Sequence, residues 1–572
     1  MSHFYAGNVG GKTTCLVQRD SAVVIACGRL TFRCMKRLQR LRVTARSIKV
    51  LREAGLSGGL VDGIRSATLV RKFGGFAGVI EAAAVKNTDA VAISDEFGDV
   101  TFAELNGRVN ALARAWTARR IGPGDVIAMM CRDHRGLITV LAAANKIGAR
   151  LLLLNTGFAK PQLADVARRE RVSVLVYDDE FAELLEAIDP SVRRFVSHRT
   201  SGAQRGIDAS LEELIRSTST APVAPPDIPG GLTLLTSGTT GTPKGAPRGK
   251  TSPLFSAQLL DRVPRRRNET CMLAAPIFHG TGRGQAVLSL ALGNRLVLRR
   301  KFDPEATLQA VESYRCNVLV VVPTMLQRIL VLSKDIRDRY DTSSLRIVFV
   351  SGSAMPPDLV RRALDEFGPV LYNLYGSTEL AVMTVAMPED LLHDPRTAGR
   401  PPVGCAVRLY DAQGKQITAP GEIGRIFAGS NISFSGYTDG RTKDVIDGLL
   451  SSGDVGHFDE TGRLYVDGRD DDMVVSGGEN VYPLEVENLI CGHPEVAEAA
   501  VLGVDDPDFG QRLKAYVVRV EGSTVDAEGV KDYVRANLAR YKVPREVEFL
   551  DVLPRNATGK LLRGQLTGGG VK

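Results

Sequence analysis

The segment GLITVLAAANKIGARLLLLN, at residues 136–155, constrains the fold more than any other part of the chain. Its first part is an apolar run of helical length, and its last part is a short run of leucines that suits a strand buried on both faces. A buried strand of this kind needs helices on both sides of its sheet. The segment therefore predicts a layered α/β fold, and similar alternation of helical and strand-like segments continues to about residue 468.

Length and composition limit the class of protein. A chain of 572 residues exceeds what one hydrophobic core normally organises, so two or more domains are expected. No apolar run reaches the roughly eighteen residues that a membrane-spanning helix needs. The net charge of +8 indicates anionic partners, which could be nucleotides, acidic lipid headgroups or nucleic acid. The eight cysteines form no C-x-x-C pair, which argues against zinc and favours a reducing, cytoplasmic compartment.

Residues 236–245, TSGTTGTPKG, predict a loop that binds phosphate groups. The strand-like run LTLL leads directly into this loop, whose glycines let backbone amides approach oxygen atoms and whose hydroxyls donate hydrogen bonds. A flexible Gly/Thr linker is the alternative, but a linker needs neither the strand nor the lysine. The phosphate-binding candidates are Thr236, Ser237, Gly238, Thr239, Thr240, Gly241, Thr242 and Lys244.

A second glycine-rich stretch, AGNVGGKTT at residues 6–14, also matches a loose phosphate-loop pattern. Such a loop works between a buried strand and a helix, and only MSHFY precedes this one. We interpret the match as a coincidence. Residues 1–34 carry little helical or strand periodicity, which suggests a start-site artefact with translation beginning at or near Met35.

Six collinear motifs together resemble the adenylate-forming superfamily, which includes acyl-CoA synthetases, luciferases and peptide-synthetase adenylation domains. After the TSGTTGTPKG loop they are APIFHGTG (275–282), YGSTE (375–379), GEIGRI (421–426), the segment 452–487 that begins SGDVG, and YKVPREVEFLDVLPRNATGKLLR (541–563). The similarity extends from about residue 85 to 565. Because several short motifs in one order rarely coincide by chance, the resemblance is specific.

The resemblance implies a nucleotide site built around YGSTE. Tyr375 would lie against the adenine, Asn373 would face its amino group and Thr378 would offer a hydroxyl to phosphate. Glu379 would be a ligand of Mg²⁺, which prefers hard oxygen donors. Asp454 would accept hydrogen bonds from both ribose hydroxyls, with Arg469 beside it, and Ser452 stands where the family usually has threonine. The remaining nucleotide candidates are Gly376 and the segment Ser353, Ala354 and Met355, which would cover the other face of the base.

The resemblance also implies two half-reactions, served by a small domain that closes in two orientations. Lys560 would stabilise negative charge at the α-phosphate during adenylation. Gly477 and Gly478 would line the channel for the pantetheine arm of coenzyme A, and Asp471 matches the hinge. His279 would gate the acyl channel, although a hydrogen-bonded core histidine is the alternative. The catalytic candidates are Lys560, Glu379, Thr239 and His279.

We therefore predict an α/β multi-domain protein in three parts. An N-terminal extension spans residues 1–60. A large domain at 61–470 combines layered α/β subdomains with a small β-barrel, because residues 404–470 become β-rich. A small mobile α+β domain spans 471–572.

Residues 35–56, MKRLQRLRVTARSIKVLREAGL, predict a basic amphipathic helix. Such a helix could contact an anionic membrane surface from the cytoplasmic side. It could equally pack on the body of the protein, or on a second subunit in a homodimer. We expect no nucleic-acid partner.

The expected activity is that of an ATP-dependent acyl-CoA synthetase whose small-molecule substrates are a carboxylic acid, ATP and coenzyme A. A medium- or long-chain fatty acid is favoured by resemblance to fatty-acid ligases and by the basic helix, although Arg283 is unexpected near an apolar pocket and could pair with a polar substrate group. One alternative is an acyl-AMP ligase that loads a carrier protein. Another is a non-catalytic acyl- or nucleotide-binding relative, which would be expected to lose Lys560, Glu379 or Asp454.

Overall fold

The structure of the protein is a computed structural model. The residues that the structure describes are 42–56, 60–200, 208–236, 244–248, 254–430, 443–470, 472–476, 479–506, 510–556 and 559–567.

The described helices are distributed along the whole chain. They are α1 (42–53), α2 (Leu60–Phe73), α3 (Gly75–Lys86), α4 (Phe102–Ala118), α5 (Arg135–Ile147), α6 (Lys160–Arg169), α7 (Leu211–Arg216), α8 (Leu254–Leu260), α9 (Gly280–Ala291), α10 (Pro304–Ser313), α11 (Pro323–Val331), α12 (Lys334–Arg337), α13 (Pro357–Phe367), α14 (Pro388–His393), α15 (Pro483–Ile490), α16 (Ala527–Asn537) and α17 (Arg563–Thr567). Short 3₁₀ helices lie at Asp179–Ala187 and Arg540–Lys542.

The described strands form four sheets. They are β1 (Val91–Asp95), β2 (Gly98–Thr101), β3 (Val126–Met130), β4 (Arg150–Leu153), β5 (Val174–Asp178), β6 (Arg193–His198), β7 (Ala209–Ser210), β8 (Leu232–Thr236), β9 (Lys244–Arg248), β10 (Thr270–Leu273), β11 (Arg295–Leu298), β12 (Val318–Val321), β13 (Ile347–Ser351), β14 (Leu371–Tyr375), β15 (Thr384–Ala386), β16 (Thr397–Gly399), β17 (Cys405–Tyr410), β18 (Gln416–Ile417), β19 (Gly424–Ser430), β20 (Val445–Ile446), β21 (Leu449–Phe458), β22 (Leu464–Arg469), β23 (Val474–Ser476), β24 (Glu479–Val481), β25 (Val496–Asp506), β26 (Gly510–Arg519) and β27 (Glu546–Phe549).

Two mostly parallel sheets form the layered part of the fold. One has the order β15-β14-β13-β12-β10-β11-β1-β2, and the other has the order β7-β6-β5-β3-β4-β8-β9. Only the end pairs β1–β2, β14–β15 and β8–β9 are antiparallel. Helices α3, α4, α5 and α9 contact one another and both sheets, so they form a layer between them. The α/β fold expected from the sequence is confirmed.

Helix α5 shows how the sequence creates this layer. Nearly all of its residues are buried, because apolar and small side chains occupy every face. The helix begins after His134, whose Nδ1 accepts a hydrogen bond from the Gly136 amide at 3.0 Å. It ends at Gly148, which adopts a left-handed conformation with φ of 73°. Strand β4 follows at once, as the apolar pattern of residues 136–155 predicts.

The β-rich segment forms a seven-stranded antiparallel sheet, with the path β16-β22-β21-β19-β17-β18 and β20 paired to β21. Strands β16 and β18 lie at opposite ends of that path and do not pair with each other in the described part of the chain. The segment predicted as a small barrel forms this antiparallel sheet, and its strands β21 and β22 contribute residues to the candidate site.

The C-terminal part has its own sheet and core. Strands β24, β23, β26 and β25 are antiparallel, and β27 adds to β26 in parallel. Helices α15 and α16 bury Val486, Ile490, Val530 and Val534 against this sheet. A separate small α+β unit is therefore present, while the boundary at residue 471 stays a prediction.

The basic helix lies against the body of the protein through its described residues. Arg46 donates to both carboxylate oxygens of Asp261, at 2.9 and 3.2 Å, and Val50 belongs to the main core cluster. Ile48 remains 56% exposed on the outer face. Residues 35–41 lie outside the described residues, and membrane contact stays a prediction. Within the described chain, no helix combines the length and apolar character that membrane crossing requires.

We predict that Asp261→Ala detaches this helix. The Asp261 side chain is 4% exposed and also accepts a hydrogen bond from the Val403 amide at 2.9 Å, so its loss releases the exposed Arg46 side chain and leaves the buried Val403 amide without this partner. We expect a cost of about 2 kcal/mol, seen as a melting temperature lowered by a few degrees. Lys49→Ala, which removes an exposed pair with Glu53, is the control and should leave the melting temperature unchanged. Equal effects of the two variants would contradict the prediction.

Candidate active site

The candidate site lies at the carboxyl ends of β13 and β14. These strands are parallel neighbours, with Val350 opposite Asn373 and Ser351 opposite Leu374. The segments SGSAM and YGSTE, which the sequence predicts on two sides of a purine, therefore leave the sheet side by side. In open α/β sheets, ligands bind outside the carboxyl ends of the strands. Asn373 and Ser353 are half-buried and Ala354 is exposed, whereas Met355 is only 8% exposed and packs in a core cluster.

The turn after β14 is tight. A Cβ atom on Gly376 would lie 1.9 Å from the Ala381 carbonyl oxygen, so no other residue fits without a backbone shift. The Ala381 amide donates to the Ser377 carbonyl at 2.8 Å, and the Met383 amide donates to the Tyr375 carbonyl at 3.0 Å. This turn carries Thr378, which is half-buried, and Glu379, which is only 8% exposed.

Tyr375 connects the parallel sheet to the antiparallel sheet. Its hydroxyl donates a hydrogen bond to Oδ2 of Asp454, on β21. Burial, together with the neighbouring Asp454 carboxylate, raises the pKa of Tyr375 well above its usual value. The phenol is therefore neutral and remains a donor.

Asp454 and Arg469 are directly opposed on β21 and β22. Arg469 Nε lies 3.5 Å from Asp454 Oδ1, and the Asp454 amide donates to the Ser452 hydroxyl at 3.0 Å. Ser452 in turn donates to the Ile426 carbonyl at 3.0 Å, so the serine retains the hydroxyl that threonine would supply. Burial raises the pKa of Asp454, while the Tyr375 hydrogen bond and the Arg469 charge act in the opposite direction.

Lys560 reaches the same cleft from the C-terminal part of the chain. Burial among the surrounding groups, with the nearby charge of Arg469, lowers the pKa of Lys560, and the carboxylates of Asp454 and Glu379 oppose this shift. The side chain nevertheless remains accessible, so the cleft is open to solvent. Residues from three sheets thus meet around one cleft.

His279 immediately precedes α9 and occupies its N-cap position. Burial lowers the pKa of His279 to about 4, so the imidazole is neutral at physiological pH. Its Nε2 atom is buried and has no hydrogen-bond partner among the described residues. The centroids of the His279 and Phe278 rings are 4.4 Å apart. A buried polar atom without a partner calls for an explanation, and a bound substrate would supply one. The gating role stays a prediction.

Part of the predicted phosphate loop can be placed. Thr236 and Lys244 end β8 and begin β9, and they are direct antiparallel partners. The predicted loop therefore begins and ends at adjacent positions of two paired strands. The predicted residues that lie outside the described chain are Ser237, Gly238, Thr239, Thr240, Gly241, Thr242, Asp471, Gly477 and Gly478.

The described residues suit a Mg²⁺ ion that is held jointly by the protein and by substrate phosphates. No group of three or more His, Cys, Asp or Glu side chains suited to a metal occurs in the part of the chain that the structure describes. Glu379 is a buried carboxylate with the hard oxygen atoms that Mg²⁺ prefers. Mg²⁺ is commonly held by one or two carboxylates together with substrate phosphates, so Glu379 is suited to that arrangement.

Two charged residues near the site were missed by sequence reasoning. Lys443 Nζ donates to the Ser452 carbonyl at 2.8 Å, and its charge lowers the pKa of Asp454. Asp472 Oδ2 lies 3.6 Å from Arg563 Nε, and the Asp472 carboxylate acts to raise the pKa of Lys560. Lys443 lies in none of the six motifs. Asp472 lies within the 452–487 segment, next to the predicted hinge, but the resemblance implied no role for it.

Family models identify the class of protein. The model for AMP-binding enzymes matches residues 80–438, which is more than half of the chain, and the model for the C-terminal domain of AMP-binding enzymes matches residues 485–560. The chain therefore belongs to the AMP-binding enzyme family, within the adenylate-forming superfamily.

Individual relatives cover nearly the same part of the chain. A feruloyl-CoA synthase from Amycolatopsis sp is 35% identical over 82% of this chain and 93% of its own length. An indoleacetate–CoA ligase from Aromatoleum aromaticum is 32% identical over 81% of this chain and 92% of its own length. Among solved structures, the anthranilate CoA ligase AuaEII in complex with anthranoyl-AMP superposes with a TM-score of 0.78 at 25% identity, covering 87% of this chain and 98% of that one.

We predict that Tyr375→Phe changes the pH dependence of nucleotide binding. An ionised Asp454 can accept two ribose hydroxyls, and binding should weaken as pH falls through its pKa, which burial raises. The Tyr375 hydrogen bond lowers that pKa, so its loss should move the weakening to higher pH. Titration calorimetry with AMP from pH 5 to 8 measures the shift.

Tyr465→Phe is the matched control for this change. Tyr465 lies on the adjacent strand β22 and stacks on His457, with ring centroids 5.0 Å apart. Its replacement should leave the AMP profile unchanged. A Tyr375→Phe profile that superposes on the wild type would show that the hydrogen bond does not control Asp454.

Proposed function

We propose that the protein is an AMP-forming CoA ligase. A carboxylic acid and ATP would give acyl-AMP and diphosphate, and coenzyme A would then displace AMP to give the acyl-CoA. The observation that carries this proposal is the meeting of Lys560, Glu379 and Asp454 around one cleft, from three separate sheets or segments. A non-catalytic relative would have no reason to keep this constellation.

In the first half-reaction, an oxygen of the substrate carboxylate attacks the α-phosphorus of ATP and diphosphate leaves. Asp454 holds the ribose through two hydrogen bonds, and the hydroxyl of Tyr375 keeps its carboxylate oriented. Negative charge accumulates on the α-phosphoryl oxygens, and Lys560 provides a cation where that charge develops. Bound Mg²⁺, held by Glu379, would supply further charge neutralisation at the phosphates.

In the second half-reaction, the sulfur of coenzyme A attacks the acyl carbonyl carbon and the bond to AMP breaks. Lys560 has no role in this step, and its place beside Asp454 suits adenylation. A rotation of the C-terminal part about Asp471 would remove the lysine and bring Gly477 and Gly478 to the thiol channel. Described residues on both sides of Asp471 belong to different sheets, as a hinge requires.

The acid substrate has an apolar body. His279 is buried, which lowers its pKa to about 4, and its neighbour Phe278 is a partly buried hydrophobic residue packed against the main core cluster. The named relatives act on feruloyl, indoleacetate and anthranilate groups, which favours an aromatic or arylalkyl acid.

A medium- or long-chain fatty acid is the second candidate. It is favoured by helix α1, which exposes Ile48 together with Arg42, Lys49 and Arg52 on the outer face of the protein. Such a face suits a peripheral contact with an anionic membrane in which the acid is dissolved.

A substrate panel tests these proposals together. The protein is incubated with MgATP and either aromatic acids or fatty acids of graded length, with and without coenzyme A, and AMP, diphosphate and thioester are quantified. CoA-dependent thioester from one class names the substrate class. Diphosphate and bound adenylate without thioester would instead identify an enzyme that loads a carrier protein. No diphosphate with any acid would overturn the proposed function.

We predict that Lys560→Ala impairs only the first half-reaction. Loss of one charge-stabilising group at a transition state typically costs about 10²–10³-fold, so acyl-AMP formation should fall by that factor. Thioester formation from supplied acyl-AMP should stay within about threefold of wild type, because the lysine makes no contact needed for that step.

Lys531→Ala is the control for the loss of one lysine from the C-terminal part. Lys531 pairs with Glu528 at 2.8 Å on α16, and its replacement should affect neither step. Equal loss of both half-reactions in Lys560→Ala would refute the assigned role.

A further inference from the structure

The residue before Lys560 touches the first turn of α11. A Cβ atom placed on Gly559 would lie 2.2 Å from Oγ1 and 3.0 Å from Cγ2 of Thr324. Thr324 is the second residue of α11, which begins at Pro323 directly after the central strand β12. The main chain beside the lysine therefore rests against the large parallel sheet through a single side chain.

The lysine segment, defined here as Arg555, Asn556, Gly559, Lys560 and Leu561, is held as a unit. Arg555 and Leu561 form an antiparallel bridge, and Arg555 Nη1 donates to the Gly559 carbonyl at 2.7 Å. The amides of Asn556 and Lys560 are both satisfied within the segment, at 2.9 Å from the Lys560 carbonyl and from Asn556 Oδ1 respectively. These bonds fix the main chain of the segment and therefore the direction in which the side chain of Lys560 leaves it.

An ion pair and the packing of Leu561 in a small core cluster join this unit to the C-terminal sheet. Arg555 donates from Nε and Nη2 to Glu498 Oε2, at 3.1 and 2.6 Å, and Glu498 lies on β25. The segment thus moves with the C-terminal part, whereas Thr324 belongs to the parallel sheet. In this structure Gly559 lies against Thr324 while Lys560 lies in the cleft.

The contact leaves no room for adjustment. Gly559 has φ of +77°, a conformation that side chains rarely adopt. Thr324 is β-branched and helical, so few rotamers are open to it. A methyl group at position 559 would therefore either displace α11 or hold the lysine segment away from the cleft.

We propose that Thr324 is a positioning residue that seats the lysine segment and so places Lys560 for adenylation, and only for adenylation. This inference rests on the proposed function and deepens it. Thr324 acts through Gly559 and needs no contact with substrate. Any orientation of the C-terminal part that withdraws Lys560 also separates Gly559 from Thr324, so the seat cannot serve the thioester step.

Gly559→Ala, Thr324→Ala and the double variant test the proposal. Gly559→Ala should lower acyl-AMP formation by about 30-fold or more, because about 2 kcal/mol of steric and backbone strain opposes closure. Thr324→Ala should lower acyl-AMP formation by about fivefold, because the lysine segment loses the side chain that positions it. The double variant should recover at least about threefold over Gly559→Ala, because the Oγ1 and Cγ2 atoms that the new Cβ atom would meet are gone. Thioester formation from supplied acyl-AMP should stay within about threefold throughout.

Gly522→Ala is the matched control for backbone strain. Gly522 lies in the same C-terminal part with φ of +80°, and a Cβ atom there would meet nothing within 4 Å. It should reproduce wild-type rates in both steps. Equal loss in both steps for Gly559→Ala, or no recovery in the double variant, would overturn the proposal.

A cross-link separates failure of the inference from failure of the proposed function. Thr324→Cys combined with Gly559→Cys removes Oγ1 and Cγ2 of Thr324 and needs only a small backbone shift to form a disulfide, since a Cβ atom on Gly559 would lie 3.1 Å from Thr324 Cβ and disulfides have Cβ atoms about 3.5–4.5 Å apart. We expect a disulfide on mild oxidation, seen by mass spectrometry, and none for Thr324→Cys with Gly522→Cys. Absence of the disulfide between positions 324 and 559 would overturn the proposal that Thr324 positions the lysine segment. Its presence in a protein that adenylates no acid would overturn the proposed function alone.

Discussion

The carboxylate of Asp454 is the point on which the site depends. A buried charge is costly unless other groups compensate it, and here compensation comes from Tyr375 on the parallel sheet and Arg469 on the neighbouring strand. The Tyr375 contact joins the antiparallel sheet to the parallel one, and the Arg469 contact lies within the antiparallel sheet. The groove between the two sheets is therefore lined by a hydrogen-bond acceptor that burial has already desolvated. A sugar with two adjacent hydroxyls could satisfy that acceptor without displacing either partner.

The other charges of the cleft follow from this arrangement. Arg469 and Lys560 are close enough that the charge of the first lowers the pKa of the second, while Asp454 and Glu379 oppose this shift. Two cations and two carboxylates thus share one open cleft, and any phosphate that enters adds negative charge near both cations. Lys560 contributes to the cleft from the C-terminal part of the chain, and the carboxylate of Asp454 contacts Tyr375 and Arg469, so the proposed withdrawal of Lys560 would leave those contacts in place.

Local patterns in the sequence predicted the α/β fold, and they named the residues that the structure brings together at the candidate site, whose roles stay predictions. Residues 136–155 form α5 and β4 because their burial is dictated by short-range apolar spacing. YGSTE forms a tight turn in which Gly376 admits no Cβ atom, and its role in nucleotide binding stays a prediction. Helix α1 was predicted from its charge pattern, but only the structure shows that Arg46 pairs with Asp261, since the partner lies far along the chain. The preference for a fatty acid rested on similarly indirect grounds, and the named relatives favour aromatic acids instead.

The contact of Gly559 with Thr324 shows what single-sequence reasoning could not reach. Each residue has an ordinary local explanation: Gly559 is the glycine of a turn, and Thr324 lies in the first turn of a helix. Their meaning arises only when two parts of the protein close, because then the missing side chain of one residue is the space occupied by the other. In the proposed cycle, Gly559 is required for the orientation in which Lys560 lies in the cleft rather than for the stability of the turn itself. Steric exclusion between domains can therefore encode which half of a reaction a catalytic lysine serves.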